Sequence, residues 1–180
     1  RHRLVIAANE TGIECDLVFT PRTACIEEGR QTLRNERHIV MDATRLDQFG
    51  FWSGWIRYDG RELKVDGRTT FGLKDRSWGI RPVGEAYTGG APLAEFQALH
   101  FCWMPIHWEN ECSLAGWFED GAGHQWHNDQ AFLPHYPSTE AIPGTVDPNA
   151  RVWQGKVEHH LTMIPGTRRA RAAVVTMHDK

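Results

Sequence analysis

The run Phe51-Trp52-Ser53-Gly54-Trp55-Ile56-Arg57-Tyr58-Asp59-Gly60-Arg61-Glu62-Leu63-Lys64-Val65 carries two β-strands and the turn that joins them. Side chains alternate across a strand, so Trp52, Gly54, Ile56 and Tyr58 share one face and Phe51 and Trp55 share the other. Asp59-Gly60 is a two-residue turn pair whose residues tolerate positive φ, and Glu62 to Val65 returns as the partner strand.

The same pattern repeats outward from this hairpin. Asp66-Gly67 turns the chain into a strand over Thr69–Ser77, and Asp120-Gly121 separates strands over Cys112–Glu119 and His124–Phe132. Near the start, Leu4–Ala8 and Glu14–Thr20 flank a turn at Asn9–Gly12. At the other end, strands over Trp153–Ile164 and Thr167–His178 meet at Pro165-Gly166, a type II turn pair. Glu95–Trp103 is apolar on both faces, which predicts a central strand covered on both sides. Pro134–Asn149 reads as a long loop. Pro21–Arg37 lacks alternation and reads as a loop with a short helical turn near Glu27–Leu33. Sequential hairpins with little helical periodicity predict an all-β, antiparallel chain, a lipocalin-like barrel or sandwich.

Composition narrows the function. The chain has 180 residues and a net charge of −3, with no concentrated basic face for nucleic acid. The one dense basic run, Arg168-Arg169-Ala170-Arg171, reads as a solvated hairpin arm. No apolar run reaches the roughly 20 residues of a membrane span. The opening Arg1-His2-Arg3 lacks a Met and lies within a strand-like alternation, as in a trimmed fragment. The four cysteines (Cys15, Cys25, Cys102 and Cys112) contain no Cys-x-x-Cys pair and read as free thiols in the cytoplasm. The eight tryptophans serve either as core or as the lining of an aromatic cavity.

Chemistry concentrates in Gly72-Leu73-Lys74-Asp75-Arg76-Ser77-Trp78-Gly79. A regular strand puts Phe71, Leu73, Asp75 and Ser77 on one face and Lys74, Arg76 and Trp78 on the other. Asp75 on an apolar face is open to two readings. One is an ion pair that pins the strand; the other is a neutral carboxylic acid that donates a proton. Trp78 is a core residue or a π-face for a developing cation. Asp75 and Trp78 converge only if the strand bends, and Gly79 permits a bend. His124, His127 and His135, with the adjacent pair His159-His160, show no recognisable ligand spacing, so no metal is expected.

Asp47-Gln48-Phe49-Gly50, Trp55 with Tyr58-Asp59-Gly60, Val65-Asp66-Gly67 and Lys74-Asp75-Arg76-Ser77-Trp78-Gly79-Ile80-Arg81-Pro82 together resemble the AttH and hydroxyneurosporene synthase (carotenoid 1,2-hydratase) superfamily. The closest likeness is to a bacterial branch with an Asp-Arg-Ser-Trp-Gly motif. The resemblance implies two lipocalin-like β units: residues 1–37 would be the last strands of a truncated first unit, and residues 38–180 the second, motif-bearing unit. It implies catalytic roles for Asp75 and Trp78. Arg76 stands where the hydratases carry His, exchanging a titratable group for a fixed cation.

The expected function is that of a cofactor-independent hydratase, cyclase or isomerase acting on an apolar, isoprenoid-like substrate. Trp55, Tyr58, His100 and Trp103 would line its cavity, and Arg76 and Arg81 would be the cations of a structural ion pair with Asp75. The alternative is a non-catalytic carrier of a hydrophobic small molecule.

Overall fold

The computed structural model describes residues 1–35, 37–80 and 100–178. Its strands are β1 (His2–Ile6), β2 (Glu14–Pro21), β3 (Ile26–Glu27), β4 (Gln31–Asn35), β5 (His38–Tyr58), β6 (Arg61–Val65) and β7 (Phe71–Ile80). They continue as β8 (His100–His107), β9 (Glu111–Glu119), β10 (Gln125–Pro134), β11 (Arg151–Trp153), β12 (Val157–Met163) and β13 (Ala170–Met177). The protein is antiparallel and all-β, as expected. Among the described residues its sheets are open and sandwich-like, without closure into a barrel. No helix among them is long and apolar enough to cross a membrane.

β5 organises the larger sheet. β2, β3 and β4 pair with β5, β6 and β7 pair with it as well, and β1 adds to β2. Strands from both sides of the expected unit boundary at Arg37 therefore share one sheet. The Asp59-Gly60 hairpin forms as read, with Asp59 at φ 49° and Gly60 at φ 70°.

The second sheet runs β11-β10-β9-β8, and β12 and β13 form a separate hairpin. Ile26, Phe49, Cys112, Leu114, Ala131 and Leu133 make the core between the two sheets, with Leu73 and Trp103 packed against it. On the outer face of β9, Ala115 and Trp117 pack with Val157, and Val175 and Met177 join them. β9 is thus the strand buried on both faces, with apolar residues at successive positions. β8 also contributes to both cores but ends the sheet among the described residues, in place of the central position predicted for it. Pro105, which has no N–H to give to a further strand, suits that edge.

One local expectation is corrected and another is met. Glu27–Leu33 forms no helical turn; β3 and β4 occupy this region, because pairing to β5 satisfies their backbone. Pro134–Asn149 is a loop, and it includes one short helical turn at Thr139–Ala141.

Candidate functional site

The inner faces of the two sheets are apolar at their centre and turn polar towards one end. On β5 the inward positions run Phe49, Asp47, Arg45, and on β7 they run Leu73, Asp75, Ser77, with Asp47 opposite Asp75. On β10 they run Leu133, Ala131, Asp129, His127. His127 and Asp129 are two residues apart on a regular stretch and so share this face, and a bulge between Gln125 and His127 shifts the register just before them. Glu28 follows Ile26 at the end of β3, and Trp103 projects from β8. Beyond the core, one layer therefore holds four carboxyl groups, one guanidinium, one imidazole and an indole.

Arg45 is the centre of this layer. Its guanidinium lies 3.6 Å from Glu28 and 3.3 Å from Asp75, and 5.4 Å from the Trp103 ring centroid. Trp103 Nε1 donates to Glu28 Oε1 at 3.0 Å, and Gln31 Nε2 donates to Oε2 at 3.1 Å. Asp47 is fully buried, and neither of its oxygens has a hydrogen-bond partner meeting ordinary geometry. Burial, reinforced by the neighbouring Glu28 and Asp75 carboxylates, pushes its pKa up to about 9. The neutral acid form expected of Asp75 is thus favoured at Asp47 instead.

On the rim of the layer, His127 Nε2 lies 2.8 Å from Asp129 Oδ2. Gly29 N–H donates to Asp129 Oδ2 at 3.0 Å, and Gln154 Nε2 donates to Oδ1 at 3.3 Å. Glu28, His127 and Asp129 each turn one ligand-type atom towards the others, all within 4.8 Å. His127 also lines a cleft of about 350 Å³ with Arg30, Gln125, Trp126, Asn128, Gln154 and Gly155. Trp126 is the extra residue at the β10 bulge.

At the opposite end of the sandwich, a chain of hydrogen bonds joins the sheets. The Arg22 guanidinium can only donate, so His135 Nδ1 accepts and its Nε2–H faces Cys112 Sγ at 3.2 Å. His107 Nε2 donates to the Gly72 carbonyl at 3.1 Å, which leaves Nδ1 to accept from the Cys112 thiol at 3.5 Å. Burial pushes the Cys112 thiol up to about 12 and His135 down to about 4, and it lowers His107 as well. All three are held neutral, as this donor order requires.

Of the residues predicted to form the site, Asp75 and Trp103 meet in the Arg45 layer. The ion-pair partner of Asp75 is Arg45; Arg76 projects from the other face of β7, and Arg81 lies outside the described residues. The β5–β7 register is unbroken through Ile80, so Asp75 and Trp78 stay on opposite faces, and Trp78 is 43% exposed. Trp55 lies ten residues along β5 from Arg45, roughly 33 Å at about 3.3 Å per residue. There it sits under Arg57, while Tyr58 is exposed at the hairpin turn. His100 is exposed at the start of β8. The tryptophans disperse: Trp52 packs on Phe19, Trp117 on His159 and Trp153 on Phe132. Residues 127–129 carried a usable signal, because His-x-Asp on a strand puts both side chains on one face. Glu28 and Arg45 carried none, and Asp47 stood out only as the first residue of the Asp47–Gly50 motif.

These features define an antiparallel β-sandwich protein with a carboxylate-rich layer at one end of its core and a polar cleft beside it. The chain belongs to the family of unknown function DUF8625, whose model matches residues 1–180. No curated protein and no solved structure matches the chain.

Proposed function

We propose that the protein is an enzyme acting on a small polar molecule held in the cleft beside His127. The observation that carries this reading is the cleft itself. Its 350 Å³ fall within the range of small-molecule sites, and its lining is Arg30, Gln125, Asn128, Gln154 and His127 with Trp126 as its aromatic wall. Asn128 Oδ1 already accepts from Gly155 N–H, and Gln154 Nε2 already donates to Asp129. The Asn128 amide N–H groups and the Gln154 carbonyl remain available to hydrogen-bond a ligand.

The reaction class we propose is the addition or loss of water, or isomerisation, as the resemblance to the AttH and hydroxyneurosporene synthase superfamily implies. That kinship is part of the proposal. It is supported by an antiparallel two-sheet fold in which the Lys74–Gly79 motif forms a strand of the larger sheet. The lining favours a polar ligand over an isoprenoid one. A cytoplasmic setting belongs to the same proposal and is supported by four free thiols.

A thermal-shift screen tests it, setting hydroxy acids, sugars and other polar metabolites against isoprenoid alcohols. A polar compound is expected to raise the melting temperature in the wild type and to lose that effect in Trp126→Ala and Asn128→Ala. Stabilisation by isoprenoid alcohols alone would return the assignment to a hydrophobic carrier.

A further inference from the structure

We propose that Glu28, His127 and Asp129 form a binding site for a divalent first-row transition metal ion in the wall of the cleft. The inference rests on the reading of that cleft as the ligand site and adds its metal. The three side chains are almost fully withdrawn from solvent: His127 is 8% exposed, Asp129 6% and Glu28 3%. Two carboxylates in such a place need compensating positive charge. Arg45 lies 3.6 Å from Glu28 and is shared with Asp75, and among the described residues no lysine or arginine pairs with Asp129.

The imidazole supplies the independent observation. His127 Nε2 is buried and makes no hydrogen bond, although Asp129 Oδ2 is only 2.8 Å away. At that separation the failure is one of direction, since the N–H vector does not point at the oxygen. Two atoms that close and not hydrogen-bonded have the relation of neighbouring ligands on one ion. Bonds of about 2.1 Å at tetrahedral or octahedral angles place such atoms roughly 3.0–3.4 Å apart. Glu28 brings the third ligand atom within 4.8 Å of both.

The surroundings match a metal site in two further ways. Asp129 is oriented by Gly29 N–H and by Gln154, the kind of outer contact that holds ligating carboxylates in place. A side chain at position 29 would press on this contact, and the ends of Gln154 and Asp129 would have to shift to admit it. A Cβ there would lie 2.4 Å from Gln154 Nε2 and 3.0 Å from Asp129 Oδ1. One imidazole nitrogen with two carboxylate oxygens favours Zn²⁺ or Mn²⁺ over the all-oxygen preference of Ca²⁺ and Mg²⁺. Because His127 belongs to both the site and the cleft wall, an ion held here is presented to a molecule in the cleft.

The test is titration of chelator-treated protein with Zn²⁺, and separately with Mn²⁺, by calorimetry, with metal content measured after gel filtration. The wild type is expected to retain about one ion per chain, and Asp129→Asn and His127→Gln to lose roughly tenfold to a hundredfold in affinity. Circular dichroism checks that these variants are folded. Co²⁺ absorption in the visible gives a second readout on the wild type alone, where bands of a nitrogen- and oxygen-coordinated ion are expected. Failure of the wild type to retain either ion, with no Co²⁺ bands, overturns the site, as does unchanged affinity in folded Asp129→Asn and His127→Gln. Trp126→Ala separates the two proposals: it should abolish binding of the polar molecule and leave the metal stoichiometry intact. A wild type that retains the ion but binds no polar molecule therefore counts against the function alone.

Discussion

Asp47 and Asp75 face each other across β5 and β7, yet Asp47 is fully buried while the Asp75 side chain is 41% exposed and paired with Arg45. The contrast assigns them opposite roles in stability. With its pKa at about 9, Asp47 keeps its proton in the folded state well above the pH at which the unfolded chain releases it. Folding then binds a proton, so the contribution of Asp47 is greatest below about pH 4 and drains away as pH rises towards 9, by at most about 1.4 kcal/mol per pH unit. Asp47→Asn is expected to be at least as stable as the wild type at pH 7 and to flatten this alkaline slope in urea denaturation. Asp75→Asn, which breaks a half-exposed pair, should cost about 1 kcal/mol or less. A large loss in Asp47→Asn at pH 7 would show that the folded state needs the ionised carboxylate.

The chain from Arg22 through His135, Cys112 and His107 to the Gly72 carbonyl gives an acid dependence of the other sign. His135 is lowered to about 4 by burial and by the Arg22 cation beside it, so it is neutral when folded and protonates first when unfolded. Its cost is absent above the ordinary histidine value of about 6.5 and grows as pH falls from there towards 4. His107 is lowered too and adds in the same direction. In an Asp47→Asn background, which removes the opposing Asp47 slope, the urea midpoint should fall between pH 7 and pH 5, and adding His135→Asn should reduce that fall. An equal fall in the variant would remove His135 from the account.

Two glycines should not tolerate alanine. Gly54 and Gly79 sit at φ +135° and +127°, and a Cβ would come within 2.0 Å of the Asp16 carbonyl oxygen and 2.2 Å of the Asp42 carbonyl oxygen, respectively. Both neighbours are backbone within the sheet and cannot swing aside. Gly54→Ala and Gly79→Ala are each expected to destabilise by about 2 kcal/mol or more in chemical denaturation. Gly12→Ala, at a turn with open space around the position, should cost less. Similar losses at all three positions would show that backbone strain alone decides.

The legible parts of the sequence were those whose signal is local. Phe51–Val65 alternates and turns at Asp59-Gly60, and the two strands pair as that pattern demands. The parity reading of β7 also held, with Asp75 and Trp78 on opposite faces. The first half of β5 was missed for a physical reason. Its inward positions include Arg45 and Asp47, so a buried strand carries charges where alternation looks for apolar residues. β3 is too short to show a period, β4 (Gln31-Thr32-Leu33-Arg34-Asn35) has a single apolar residue, and only their pairing with β5 defines them.

By itself the sequence determined the all-β class, the main hairpins and the face on which Asp75 lies. Each of these depends on residues one or two positions apart and on the conformational freedom of Asp-Gly and Pro-Gly turns. Only the tertiary structure decided which carboxyl is buried, which cation meets it and which histidine finds ligand-type neighbours. Gly29 and Asp129 are 100 residues apart in the chain and 3.0 Å apart in the fold. Sheet register and the packing of one sheet on the other create that proximity, and neither is written in the spacing of residues along a single strand.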